Sequence, residues 1–299
     1  MEIPLDLART LAAVVDAGTF EAAAAELRVT PSAVSQRVKQ LEQRLGRVLV
    51  VRARPVRATE AGAVVVRLAR QLALLEQDAL AAFGGDPGAS DRPAVLPLAV
   101  NADSLATWFL PALAGVERRH RVVFDLHRDD QDFTAGLLES GTVMGAVTSR
   151  AEPVAGCLVR PLGVMRYRAV ATPDYVARWS VDADGSALAR APRVDLDRRD
   201  DLQAQYLHAR GIDAAGSPRH FVPASNDFAA AVKLGLGWGL LPGFQSDAEL
   251  ADGSLVPLGG PPVDVPLHWQ QWNLGSPLLD AVAEALAQEA ATALRPQRL

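Results

Sequence analysis

Residues 29–46, VTPSAVSQRVKQLEQRLG, carry two stripes that only a helix can separate. At 100° per residue, Val34, Val38, Leu41 and Leu45 fall on one narrow apolar line. Ser32, Gln36, Lys39 and Gln43 fall on the opposite line at the same spacings, with Ser35 at its edge and Arg37 to the side. Thr30 and Pro31 read as the N-cap and first helical residue: a threonine oxygen satisfies a free N–H, and proline has none to leave unpaired. Glu42 is the only acid in the helix. A face meant for water usually mixes glutamate with lysine, whereas this one offers hydroxyls, amides and one cation. Such groups bond base edges and phosphates.

The neighbours strengthen that reading. LDLARTLAAVVDAG (5–18) has Leu7, Leu11, Val14 and Val15 at helical spacing and a glycine stop. In TFEAAAAELRV, Thr19 reads as an N-cap and Glu21 sits in the first turn, where the helix dipole favours an acid. Three short helices, the last two about three residues apart, make a helix-turn-helix unit. In RVLVVRARPVRAT (47–59), VLVV predicts a strand and VRAT its antiparallel return. This small wing carries Arg52, Arg54 and Arg57 toward phosphates or the minor groove. From Arg28 to Arg70 there are ten basic and two acidic residues, although the chain as a whole carries a net charge of −5. A basic block on an acidic body is the electrostatic form of a DNA-binding head on a regulatory domain.

Thr59 then caps a long helix in which Val65, Leu68, Leu72, Leu75, Ala79 and Ala82 are spaced as an a/d seam. Two heads reading two half-sites need a dimerising device, and this seam supplies one; packing on its own domain is the alternative. GGDPGASDRP (84–93) reads as a linker. Beyond it, AVLPLAV, RVVFDLH and TVMGAVTS alternate with helical segments, one of them LATWFLPALAGVERRH, in a βαβαβ pattern. A second α/β set runs from YRAVATP to WGLLP, and PLHWQQW with a final helix closes the chain. Two α/β lobes predict a hinged clamp with a ligand between them.

The 299 residues, 49% hydrophobic and 22% charged, suffice for two cored domains. The apolar runs are too short and interrupted to cross a bilayer, and MEIPLDLART lacks the features of a signal peptide. Cys157 is the single cysteine, so no intrachain disulfide can form. The expectation is a soluble cytoplasmic protein with no membrane partner. The five histidines show no metal spacing, there is no P-loop or GxSxG, and LGLGWGLLP is not a dinucleotide fingerprint. Neither enzymatic activity, metal nor cofactor is expected.

The candidate ligand residues lie at strand-to-helix junctions, because in open α/β sheets ligands sit outside the carboxyl ends of strands. VNADS places Asp103 and Ser104 at one such end, beside the free N–H groups of a helix start; Asp103 either binds an ammonium or caps the helix. Thr148 and Ser149 end another strand. VDLDRRDDLQ gathers Asp195, Asp197, Asp200 and Asp201, and ASNDF offers Ser225, Asn226 and Asp227. Each acid there either meets a cationic ligand or serves its own loop or helix.

FEAAAAELRVTPSAVSQRVKQLEQRLGRVLVVR, followed by RATEAG, strongly resembles the LysR-type transcriptional regulators. NADSLATW and RRDDLQ are similar to the subgroup of that family that senses basic amino acids. The resemblance spans the chain. It implies an α plus α/β architecture: a winged helix-turn-helix head (1–59), a dimerising linker helix (60–83), a hinge (84–93) and a two-lobe effector domain like a periplasmic binding protein. Lobe I would take 94–163 and 268–299, and lobe II 164–267. It implies homodimers and homotetramers on double-stranded promoter DNA, a change in DNA bend and RNA polymerase recruitment, and lysine or arginine as effector controlling a gene for export or metabolism. Thr30, Pro31, Ser32, Ser35, Gln36, Arg37 and Lys39 match the family's DNA-contacting segment. Asp103, Ser104, Thr148, Ser149, Asp197, Asp200, Asp201, Asn226 and Asp227 would supply carboxylates for the effector's cations and donors for its carboxylate. The alternatives are the same kind of regulator with another effector, or a two-lobe small-molecule-binding protein or enzyme whose basic head serves oligomerisation or membrane-surface contact.

Overall fold

Caps and glycine stops delimit the first helices in the computed structural model, which describes residues 2–82, 93–128, 134–182 and 184–297. Helix α1 (Leu5–Ala17) ends at Gly18, whose φ of 69° is left-handed backbone that glycine adopts without a Cβ clash. Thr19 caps α2 (Phe20–Leu27) by accepting from the Ala22 N–H at 3.1 Å. Thr30 caps α3 (Pro31–Leu45) by accepting from the Ala33 N–H at 3.2 Å. Val34, Val38 and Leu41 are fully buried in one core with Leu11, Val14 and Ala23. Burying a side chain of this size stabilises by about 1.5–3 kcal/mol. That fixes the rotation of α3 about its axis, so the polar stripe must face outward.

Strands β1 (Val50–Val51) and β2 (Arg57–Ala58) pair antiparallel, Val50 opposite Ala58. The hairpin is tied down twice: the Leu49 N–H donates to Glu42 Oε1 at 2.8 Å, and the Val56 N–H to the Gly18 carbonyl at 2.8 Å. Helix α4 (Glu60–Ala82) starts at Thr59, whose hydroxyl donates to the Val48 carbonyl at 2.7 Å and accepts from the Gly62 N–H at 3.0 Å. The start of α4 lies so close to β1 that a Cβ on Gly62 would sit 1.9 Å from the Leu49 carbonyl oxygen. Backbone cannot give way as a side-chain tip does. Gly62→Ala is therefore expected to destabilise the head by about 3 kcal/mol, the upper end for overpacking. Urea unfolding checks this, and an unchanged midpoint would contradict the packing of α4 on the wing.

The apolar seam of α4 is not continuous as the heptad spacing suggested. Val65 is buried in the head's own core with Val66 and Ala69, and Leu74 joins the core of the second domain. Leu68 and Leu72 are half-buried, and Leu75 and Ala79 are exposed. The outward apolar stripe runs instead along Val64, Leu68, Leu72, Leu75 and Ala79, because α1 claims the side on which Val65 lies. The expected linker at 84–93 lies, but for its last residue, outside the described residues.

The second domain is built on one mixed sheet. Strand β3 (Ala94–Val100) leads into α5 (Ala102–Thr107) and α6 (Phe109–Glu117), then β4 (Val122–Arg128), α7 (Thr134–Glu139) and β5 (Gly145–Thr148). β3 pairs parallel with both β4 and β5, as the βαβαβ pattern predicts. The single helix expected over 105–120 is broken at Trp108 and begins earlier, because Pro111 has no N–H for the Thr107 carbonyl and its ring would clash there.

Strand β6 (Cys157–Ala171) is far longer than the segment YRAVATP that signals it. Pro161 and Gly163 hide its first half from a sequence reading. Gly163 has a φ of 144°, and the ladder shifts register opposite it, between Leu267 and His268. After β6 come α8 (Pro173–Trp179), β7 (Arg193–Asp195), α9 (Leu202–Ala209), β8 (Arg219–Phe221), α10 (Ser225–Lys233) and β9 (Gly239–Pro242). Then follow α11 (Gly243–Asp252), β10 (Val256–Pro257), β11 (Val263–Trp272) and α12 (Pro277–Ala293). The sheet order is β10-β6-β11-β5-β3-β4, with β9 also on β6, while β7 and β8 form a separate parallel pair. The two long antiparallel strands β6 and β11 thus run through the whole domain, one end beside β5 and the other beside β9 and β10. Among the described residues, no helix is long and apolar enough to cross a membrane.

Candidate functional site

The head presents a polar face. Ser32, Gln36, Lys39 and Gln43 are exposed along α3, with Gln40 and Arg44 beside them; Ser35 and Arg37 are half-buried. Thr30 caps, Pro31 occupies the first helical position, and the hydroxyls of Thr30 and Ser32 lie 3.0 Å apart. Glu42 is turned inward to hold β1, so no acid shares the outward face. On the wing, Arg52, Arg54 and Arg57 are all exposed. The Arg52 guanidinium stacks on the Phe20 ring at 5.3 Å, which joins the wing arginine to α2, the helix before α3. Hydroxyls and amides on α3, with the cations of α3 and the wing beside them, can bond base edges and neutralise phosphates together.

The second site is a cavity between the start of α5 and the α8–α11 region. Its polar lining is Asp103, Tyr167, Asp200, Gln203 and Gln245; Leu196, Phe228 and Leu240 contribute apolar wall. Among the described residues, none that lines the cavity is basic. Asp103, in the first turn of α5, does not act there as a simple cap: Tyr167 on β6 donates its hydroxyl to Asp103 Oδ2 at 2.8 Å, and Ser225 on α10 also hydrogen-bonds the carboxyl. Burial pushes this carboxyl above the ordinary carboxylate pKa. The bonds from Ser225 and Tyr167 act the other way, and the charge of Asp200 adds to the rise.

Asp200 has backbone partners. It accepts from the Leu196 N–H at 2.7 Å and the Leu202 N–H at 3.1 Å, and from Gln203 Nε2 at 3.3 Å. Gln245 donates to Ser225 Oγ at 2.9 Å and Asn226 Oδ1 at 3.3 Å.

Of the nine ligand residues suggested by the sequence, only Asp103 and Asp200 line this cavity. Asp197 accepts the backbone N–H groups of Arg199 and Asp200 and stabilises its own turn. Asp201 is exposed ahead of α9 and accepts from Gln205 at 2.8 Å. Asn226 and Asp227 are exposed on the first turn of α10. Thr148 is buried and accepts from the Arg150 N–H, Ser149 is half-buried beside it, and Ser104 is buried with its hydroxyl unpartnered among the described residues. Asp195 is buried in an ion pair with Arg193 at 3.0 Å. Tyr167, Gln203 and Gln245 were not singled out from the sequence. Tyr167 did leave a signal: it lies on the buried side of an alternating strand with Met165 and Ala169, where a phenol needs a partner. The two glutamines left none.

Helix α4 joins the head to the second domain. Arg67 donates to the Glu139 carbonyl at 2.8 Å and stacks on Trp272 at 5.2 Å. Arg70 donates to the Gly141 carbonyl at 2.6 Å and bonds Asp16 of α1 with its other nitrogen. One side chain thus touches both the head and the loop after α7.

The sequence matches two family models: "Bacterial regulatory helix-turn-helix protein, lysR family" over residues 5–63 and "LysR substrate binding domain" over residues 92–291. It is 46% identical over 289 residues to the HTH-type transcriptional regulator LysG of Mycobacterium tuberculosis, covering 96% of this chain and 94% of that protein. The fold is similar to the crystal structure of ArgP from Mycobacterium tuberculosis, with a TM-score of 0.84 and 45% identity over 97% of this chain and 98% of that one. Full-length LysG from Corynebacterium glutamicum with bound effector Arg is similar as well, with a TM-score of 0.78 and 39% identity over 98% of this chain and 100% of that one.

Proposed function

This chain belongs to the LysR family of bacterial helix-turn-helix regulators, and we propose that it is a LysG/ArgP-type regulator whose action on promoter DNA is set by lysine or arginine bound beside Asp103. The observation that carries the effector class is the lining of the cavity: among the described residues, two carboxylates and no basic residue. A site of that composition favours a cation. Leu196, Phe228 and Leu240 can cover the methylenes that lysine and arginine share. The relative solved with bound arginine supports the same class.

The mechanism is a population shift. An effector held between Asp103 and the α9–α10 side favours one arrangement of the lobes, taken as divided at 163/164 and 267/268; the β6–β11 ladder shifts register nearby, between Leu267 and His268 opposite Pro161–Gly163. Arg67 and Arg70 pass that bias from the α7 loop to α4 and the head. The outward stripe of α4 pairs two heads, two dimers make a tetramer, and the altered head spacing changes DNA bend and polymerase recruitment. The regulated gene serves export or metabolism of the basic amino acid, and the protein acts in the cytoplasm. Calorimetric titration with lysine, arginine and neutral amino acids tests the effector. Saturable binding of one basic amino acid below millimolar is the expected result, and no binding by either would overturn the assignment.

Effector affinity is expected to fall with pH. A cation needs the Asp103 carboxylate, and burial makes that group take up its proton at a higher pH than an ordinary aspartate. The groups facing it are the Tyr167 and Ser225 hydroxyls and the Asp200 carboxylate, none of which is a cation. Below the raised pKa, affinity should drop about tenfold per pH unit, and binding should release a proton. Calorimetry in two buffers of different ionisation enthalpy reads the proton count; zero release together with pH-independent affinity on the acid side would contradict it.

A further inference from the structure

Gln203 lines the cavity and is only 2% exposed, yet its Oε1 has no hydrogen-bond partner among the described residues. A buried amide oxygen left unpaired is costly, and such atoms call for a partner that is not part of the chain. The amide cannot correct this by turning over. Its Nε2 donates to the Val194 carbonyl of β7 at 2.7 Å and to Asp200 Oδ2 at 3.3 Å, both acceptors only. Flipping the group would set oxygen against oxygen at both places. Asp200 is itself held by the Leu196 and Leu202 N–H groups, so the whole arrangement is anchored in backbone.

We propose that Gln203 is the specificity-determining residue of the effector site, its Oε1 accepting a hydrogen bond from the cationic end of the ligand's side chain while Asp103 lies at the other pole of the cavity. The inference rests on the basic amino-acid reading above and adds to it. Asp200 becomes a positioning residue: its carboxylate keeps Nε2 turned away from the ligand. The cavity then offers the side chain a fixed acceptor and no fixed donor at that point. An arginine side chain, all donors at its tip, satisfies it. Citrulline keeps urea N–H donors but has no charge, so its bond to the same oxygen is weaker.

The test is a comparison of arginine and citrulline binding to full-length wild type and to Gln203→Met, which keeps the volume and removes the acceptor. Gln203→Met is expected to weaken arginine binding about tenfold or more and citrulline binding by a clearly smaller factor, because a hydrogen bond from a charged donor is worth more than one from a neutral donor. Equal weakening of both ligands, or no change in either, would overturn the proposal. If Gln203→Met fails to fold, the arginine complex of the wild-type protein decides by crystallography: Gln203 Oε1 should lie within hydrogen-bond distance of a side-chain nitrogen of the ligand, and an Oε1 that meets no ligand nitrogen would overturn the inference. Wild type that binds neither lysine nor arginine would instead refute the effector class itself.

Discussion

Asp103→Asn is expected to remove saturable lysine and arginine binding while leaving the protein folded. Asparagine is nearly the same shape and can still accept from the Tyr167 hydroxyl, now 2.8 Å from Asp103 Oδ2. What it lacks is the charge. Removing one partner of a largely desolvated charge pair costs about 3 kcal/mol, which is on the order of 100-fold in affinity. Without ligand the substitution should act in the opposite direction. Burial raises the Asp103 pKa, so its contribution to stability is present at acid pH and is lost as pH rises through the raised value. The neutral amide has no such loss, and the melting temperature of the ligand-free variant should equal or exceed that of wild type at neutral pH. A variant that loses binding because it unfolds would melt earlier, so calorimetry with a thermal melt separates the two explanations. Unchanged affinity would show that Asp103 is a structural group.

The other large effect is expected at the head. Arg52, Arg54 and Arg57 are exposed on the wing, and replacing all three with alanine should cut the slope of log affinity against log salt by roughly 2.7 per head, about 0.9 for each phosphate no longer neutralised. Operator and random DNA should suffer alike, because phosphate recognition carries no sequence information. Gln36→Ala should behave differently. Gln36 is exposed opposite the buried Val34–Val38–Leu41 line, and removing a side chain that bonds a base edge costs about 1–3 kcal/mol of discrimination with little change in salt slope. Fluorescence anisotropy over a salt series reads both. A reduced salt slope in Gln36→Ala, or reduced discrimination alone in the wing triple, would reverse the assigned roles.

The head was legible because its signals are local. Thr19, Thr30, Gly18 and Pro31 act within a turn of their own position, and the α3 stripes need only a period of 3.6 residues. The α4 seam was legible as apolar but not as to which partner each residue meets, since α1 takes Val65 from across the domain. The candidate cavity was the least legible. Asp103 could be found because a strand-to-helix junction is marked in sequence, although its partners Tyr167 and Ser225 come from far along the chain. The acidic run 195–201 misled by abundance: Asp197 and Asp200 mainly serve backbone N–H groups, and the neutral Gln203 holds the unpartnered atom. Charge is visible in a sequence, whereas hydrogen-bond satisfaction depends on geometry.

The link between the two sites is the central claim. Its most direct test is the complex of the full-length protein with its upstream promoter fragment, titrated with lysine or arginine and followed by DNA affinity and bend. The expected result is a saturable change whose midpoint matches the calorimetric one and which is absent in Asp103→Asn. A wild-type complex that binds promoter DNA specifically yet gives the same affinity and bend at every concentration of both amino acids would contradict it.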